Sequence, residues 1–177
     1  MSANSAAIVA IVVAIITGIV GPMLTLVLKK RMESRKYEEL DSKRRKALSG
    51  HWEGDAHQDN PPANYPKDFT ITLDLNAGKR SVSGKLVADY RLRENQKAEF
   101  RLHGGFLKDR FIQLDYRATD TRIVAFGTVF LELNPAGDGM DGWAAGYGAI
   151  TQAPVGISIT IHKIENYKPA RITLRTG

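Results

Sequence analysis

Residues 69–92 read FTITLDLNAGKRSVSGKLVADYRL, two alternating runs joined by a short polar turn. In FTITLDL (69–75) apolar and polar side chains alternate strictly, which is the period of a β-strand with one buried face. The run SVSGKLVADYRL (81–92) repeats this pattern, and NAGK (76–79) between the two runs has the composition of a turn. This stretch therefore predicts two neighbouring antiparallel strands.

The same pattern continues on both sides of this pair. Six further runs read as strands: 51–56, 98–104, 110–118, 121–133, 143–150 and 155–164. PAGDGMDG (135–142) reads as a glycine-rich loop, and ARITLRT (170–176) as a possible ninth strand. Short connections without helical periodicity after residue 48 predict an all-β fold, an eight-stranded antiparallel meander that closes into a barrel. A β-sandwich is the structural alternative.

The predicted inward face of this barrel carries small residues among the large aliphatic ones. These small residues are Gly84, Ala88, Gly104, Gly127, Ala144, Gly146 and Gly148. In one interpretation they leave space for a small ligand inside the barrel. In the other, the glycines mark the bends and bulges that a tight barrel needs.

The N-terminal segment, residues 1–28, contains no charged side chain. Its apolar run from Ala6 to Leu28 is long enough to cross a hydrocarbon layer of about 30 Å as a helix. A cleaved signal peptide would instead have a basic start and a shorter apolar core. The basic cluster KKR (29–31) follows the run, so the positive-inside rule predicts a retained single-pass anchor with the N-terminus outside and residues 29–177 in the cytoplasm.

Two features of the first 48 residues suggest assembly at a membrane. Small residues recur every fourth position, at Ala6, Ala10, Ala14 and Gly18. Such a face lets membrane helices pack closely, which predicts a homo-oligomer, although alanine and glycine are also common in membrane helices. Residues 29–48 are rich in helix formers and predict a basic helical stalk, so the expected domains are 1–28, 29–48 and a barrel at 49–177.

The charges and motifs argue against several functional classes. Residues 29–46 carry nine Lys or Arg and four Asp or Glu, which accounts for most of the net charge of +6 and leaves no basic surface for a DNA or RNA polymer. The chain has no cysteine, and its four histidines lack metal-ligand spacing. No phosphate-binding loop, nucleophile elbow or dinucleotide motif is found. We therefore expect no enzyme activity, no metal and no cofactor.

Arginines and aromatic residues of the barrel form the candidate ligand-binding set. Guanidinium groups bind phosphates and aromatic rings stack on bases, so this combination suits a nucleotide. The candidates are Trp52, Tyr90, Arg91, Arg101, Arg110, Tyr116, Trp143 and Tyr147.

The run LSGHWEG (48–54) contains Gly50-x-Trp52 at the start of the predicted barrel. It resembles the first strand of the lipocalin and fatty-acid-binding superfamily, in which the tryptophan closes one end of the barrel. The order of membrane segment, basic stalk and barrel resembles the transmembrane β-barrel effectors of bacterial CBASS-type anti-phage systems. This sequence differs from the better-known members of that family, because it has one predicted membrane span and they have two.

The resemblance implies a barrel that binds a cyclic oligonucleotide in the cytoplasm and a membrane segment that oligomerises to disrupt the inner membrane. Two other functions stay open. One is a membrane-tethered, lipocalin-like carrier of an apolar ligand. The other is a protein-docking module whose barrel interior is filled.

Overall fold

The computed structural model describes residues 36–61, 63, 65–90, 97–148 and 153–165. The chain divides into two compact units, Met1–Lys36 and Tyr37–Gly177, and every described strand and helix belongs to the second. The predicted membrane segment, Ala6–Leu28, and its small-residue face lie outside the described residues. Within the described ranges, no helix has the length and hydropathy needed to cross a membrane.

In the described part of the chain, eight antiparallel strands follow one helix and form a closed barrel in chain order. Each strand pairs with the next one along the chain, and β8 pairs with β1. The prediction of an eight-stranded antiparallel meander barrel is thus confirmed, and the β-sandwich is not formed. The elements are α1 (Ser42–Leu48), β1 (Gly50–Gln58), β2 (Asp68–Ala77), β3 (Val82–Asp89), β4 (Lys97–Lys108), β5 (Phe111–Ala118), β6 (Phe126–Leu133), β7 (Gly139–Tyr147) and β8 (Pro154–Lys163).

Several strand boundaries differ from the sequence prediction, among them the starts of β6 and β7. Strand β7 begins at Gly139, so half of the predicted loop 135–142 is strand, with Met140 buried in the core. Strand β6 begins at Phe126 rather than near residue 121, because the Asp120 carboxylate accepts hydrogen bonds from the backbone and guanidinium of Arg122 and forms a turn. The possible ninth strand at 170–176 lies outside the described residues.

The predicted helical stalk, 29–48, is helical in its described part only from Ser42 to Leu48. Residues 36–41 are not helical, because backbone N–H groups of this stretch bond to the barrel instead of to their own helix. Glu38 N donates to Phe106 O at 2.8 Å, and Leu40 N donates to Lys79 O at 2.7 Å. Asp41 then caps the helix by accepting a hydrogen bond from Arg44 N at 2.7 Å.

Helix α1 covers one end of the barrel, which we call the closed end. Leu48 and Trp52 are fully buried there, and Trp52 Nε1 donates to Leu48 O at 3.0 Å. The Lys163 ammonium donates to the carbonyls of Lys46 and Ala47 at the end of α1 and lies 5.5 Å from the centre of the Trp52 ring. These contacts satisfy carbonyls that a helix C-terminus leaves without intrahelical partners.

The inward glycines allow neighbouring strands to approach closely. At six of them an added Cβ would lie between 1.9 and 2.3 Å from a backbone oxygen of the paired strand. These six are Gly54, Gly84, Gly104, Gly127, Gly142 and Gly146. These glycines therefore permit the sharp coiling of a small barrel. At these positions the structure favours the interpretation that glycine allows bends, rather than the one in which glycine leaves space for a ligand.

Replacing Gly104 with alanine should destabilise the barrel. The new Cβ would lie 1.9 Å from Gln113 O, a backbone atom that cannot move without breaking the β4–β5 ladder. We expect Gly104→Ala to lower the free energy of unfolding by about 2 kcal/mol, measured by urea denaturation.

The matched control is Gly156→Ala, on the outward face of β8. Its nearest neighbours are the side-chain ends of Asp59 and Trp143, at 3.1 Å and beyond, which can give way. Equal losses of stability in the two variants would contradict the close-approach explanation.

Candidate ligand-binding site

A cavity opens at the end of the barrel opposite α1, which we call the open end. Its wall consists of alanine, valine, leucine and isoleucine side chains from the strands, with Phe69 and Phe100 among them. Tyr65 and Pro66 from the β1–β2 connection stand at its mouth. The cavity itself measures about 60 Å³, while the whole depression, counted out into the solvent, contains about 750 Å³ of space. A molecule larger than a few atoms would therefore lie partly in the mouth.

Two partly buried tyrosines, Tyr90 and Tyr116, give the cavity part of its polar character. The Tyr90 ring lies 4.7 Å from that of Phe69, and the Tyr116 ring meets Phe100 edge-on at 5.6 Å between centroids. Burial, with a smaller contribution from Tyr116, raises the pKa of Tyr90 to about 12. Burial also raises the pKa of Tyr116. The surroundings of both hydroxyls thus disfavour a negative charge.

Gln58, the last residue of β1, is a further polar side chain in the wall, at the open end of the barrel. It is only 7% exposed, and its backbone N–H donates to Lys67 O at 2.8 Å. Its side-chain Nε2 is buried without a hydrogen-bond partner. Leaving a buried donor unsatisfied costs about 1–3 kcal/mol, so this amide would gain a hydrogen bond from an acceptor on a bound molecule.

The structure brings together three of the eight predicted ligand-binding residues, Tyr90, Tyr116 and Tyr147, which all line the cavity. Trp52 lies at the closed end, under α1. Arg101 points outward from β4, between buried inward neighbours, and Arg110 forms an ion pair with Glu132 at 2.7 Å. Arg91 lies outside the described residues.

The last predicted residue, Trp143, belongs to an exposed aromatic face on the outside of the barrel. In the register of β6 and β7, Phe130 lies opposite Trp143, and Phe126 lies opposite Tyr147. Phe126, Phe130 and Trp143 are 53%, 44% and 47% exposed, and the rings of Phe126 and Tyr147 stack at 6.1 Å. Tyr147 stands at the rim, so it belongs to both the face and the mouth of the cavity.

Sequence reasoning missed three contributors to the cavity wall, for different reasons. Phe69 and Phe100 were assigned to inward faces, but nothing in the sequence showed that the two strands bring them to the same end. Gln58 lay beyond the predicted end of the first strand at residue 56, so its side chain had no assigned direction. Trp52, Gly54 and Ala56 share one face of this strand, so extending the strand from residue 56 to residue 58 would have placed Gln58 on the inward face.

The sequence analysis also did not identify a polar cluster on the outer surface, formed by His51, Glu53 and Asp74. His51 is 7% exposed, with Nδ1 2.7 Å from Asp74 Oδ1 on β2 and Nε2 2.9 Å from Glu53 Oε1. Burial alone would lower the pKa of His51, but the hydrogen bonds to Asp74 and Glu53 raise it overall. No group of histidine and acidic side chains in the described part of the chain has a metal-binding arrangement.

No protein-family model matches the chain, and no curated protein matches it significantly. The predicted relationship to CBASS-type effectors therefore stays a prediction.

The His51 cluster should make stability depend on pH. Its raised pKa means that the folded state holds a proton more tightly than the unfolded state, where an ordinary histidine titrates near pH 6.5. The stabilisation is complete below that value and is lost as pH rises through the folded-state pKa. The difference in unfolding free energy between wild type and His51→Gln should thus be larger at about pH 5.5 than at about pH 8.5. An equal or larger difference at the higher pH would contradict the assignment.

Proposed function

We propose that the barrel is a binding module for a small, mainly apolar molecule that enters through the open end. The observation that carries the proposal is the cavity itself, a largely apolar space with a few polar groups, Gln58 and the tyrosines, directed into it. This combination is the usual character of a small-molecule site. The predicted membrane segment at Ala6–Leu28 would tether such a module to a membrane, as in the proposed lipocalin-like carrier.

The size of the cavity limits what can be enclosed. At about 60 Å³ it is well below the roughly 150 Å³ of an apolar cavity that takes up benzene. The apolar end of a ligand, such as a ring edge or the end of an alkyl chain, would lie inside. The rest would lie in the mouth, beside Tyr65 and Tyr147.

The cyclic-oligonucleotide and anti-phage effector functions stay predictions that this cavity does not favour. Among the described residues that line it there is no lysine or arginine to meet a phosphate. The high pKa of Tyr90 shows that an anion would be poorly stabilised at this depth. A nucleotide would have to bind at the mouth rather than inside the barrel.

The docking-module alternative has one supporting observation, the exposed aromatic face of β6 and β7. Thr128 and Ala145, which lie opposite each other between the aromatic pairs, leave its centre uncharged. Aromatic residues are enriched in protein interfaces, and the charged groups beside this face, Asp115 and Arg117, lie on the neighbouring strand β5. Failure of every small molecule to bind would favour this function.

Filling the cavity should abolish ligand binding. Ala144 points inward and lines the cavity, so the larger side chain of Ala144→Leu would occupy the available space. With cyclopentanone as the probe and the full chain in lipid nanodiscs, we expect the wild-type methyl signals of Ala88 and Ala144 to shift on titration. In Ala144→Leu, the Ala88 signal should show at least tenfold weaker binding.

The matched control is Ala145→Leu, the next residue of β7, which points outward and should bind as wild type does. Thermal unfolding with cyclic di- and trinucleotides provides the comparison with the nucleotide prediction. Bound ligand at a hundredfold excess over its Kd stabilises the folded state by about 2.7 kcal/mol. A midpoint raised by a nucleotide, with no methyl shift from cyclopentanone, would overturn the proposal.

A further inference from the structure

The unpartnered amide of Gln58 indicates what kind of polar group the ligand carries. Its Nε2 is a hydrogen-bond donor buried in the cavity wall, and the described residues offer it no acceptor. The lining around it is apolar except for tyrosines, and its strand neighbours on the same face are Ala56 on β1 and Ile157, which lies opposite it on β8. A ligand with an acceptor oxygen at this depth would supply the missing hydrogen bond, whereas a pure hydrocarbon would leave the donor unsatisfied.

The charge of the surroundings decides which acceptor fits. A carboxylate or phosphate buried beside Gln58 would need a cation to offset the loss of hydration, and the described lining contains no lysine or arginine. The raised pKa values of Tyr90 and Tyr116 follow from the same burial, which also disfavours their own anions. An uncharged oxygen pays a smaller desolvation cost and accepts the same hydrogen bond.

We propose that Gln58 is the specificity-determining residue of the cavity, and that the ligand is an otherwise apolar molecule with an uncharged acceptor oxygen, a carbonyl, ether or hydroxyl, bound to Gln58 Nε2. This inference rests on the proposed ligand-binding function.

The test compares two probes of nearly the same shape, cyclopentanone and methylenecyclopentane, in which a CH₂ group replaces the carbonyl oxygen. Both are titrated into the full chain in nanodiscs, and binding is read from the methyl signals of Ala88 and Ala144. Because the two probes differ only in the acceptor oxygen, the ratio of their dissociation constants reports on the hydrogen bond from Gln58 Nε2 to that oxygen. We expect Gln58→Met, which keeps the length of the side chain but has no N–H, to reduce the relative preference for the ketone about fivefold.

Gln113→Met is the matched control, because Gln113 is a half-buried glutamine on the outward face of β5, away from the cavity. It should leave the ratio unchanged. If Gln58→Met does not fold, Gln58→Leu takes its place, with the same expected ratio.

The outcomes separate the two proposals. If neither probe shifts the Ala88 and Ala144 signals of the wild type, the ligand-binding function itself is wrong. If both probes bind and the ratio is the same in wild type and in Gln58→Met, ligand binding holds and the role of Gln58 is overturned. Cyclopentanecarboxylate is the third probe, and tighter binding of this anion than of the ketone would overturn the uncharged acceptor.

Discussion

Pairing of β1 with both β2 and β8 is the constraint on which the rest of the structure depends. It converts a meander into a ring, and a ring of eight strands has an interior only wide enough for side chains and at most a small molecule. Glycine at the points of closest strand approach, such as Gly104 against Gln113 O, makes that curvature possible. The backbone thus sets an upper limit on the space inside the ring, and inward side chains such as Ala144 determine how much of that space stays open.

The two ends of the ring differ in what covers them. At the closed end, α1 brings Leu48 over the core, and Lys163 and Trp52 bond to carbonyls at the end of that helix. At the open end the strands finish in tyrosines and in Gln58, and Tyr65 and Pro66 of the β1–β2 connection line the mouth. Among the described residues, the two ends of the barrel are therefore unlike, and the cavity opens at the end opposite α1.

The alternation of FTITLDL and of the other runs was enough to predict the strands, their order and the barrel, because burial of one face imposes a period of two. The ends of the strands were harder to predict. Gly139–Gly142 lacks the side chains that reveal alternation, and the Asp120–Arg122 turn depends on a local hydrogen bond. The residues that line the cavity were the least predictable, since Arg101 and Arg110 suit a phosphate chemically but point away from the interior. Direction, rather than residue type, separates them from Tyr90 and Gln58.

The positions of the two tryptophans give the protein two independent optical reporters. Trp52 is fully enclosed beneath α1, whereas Trp143 is 47% exposed on the aromatic face. An indole in an apolar environment emits at shorter wavelength than one in water, so the two emission bands are separable. Loosening of α1 would shift the short-wavelength band alone, and covering of the β6–β7 face would shift the long-wavelength band alone. The intrinsic fluorescence of the unmodified chain therefore distinguishes an event at the closed end from one on the outer surface.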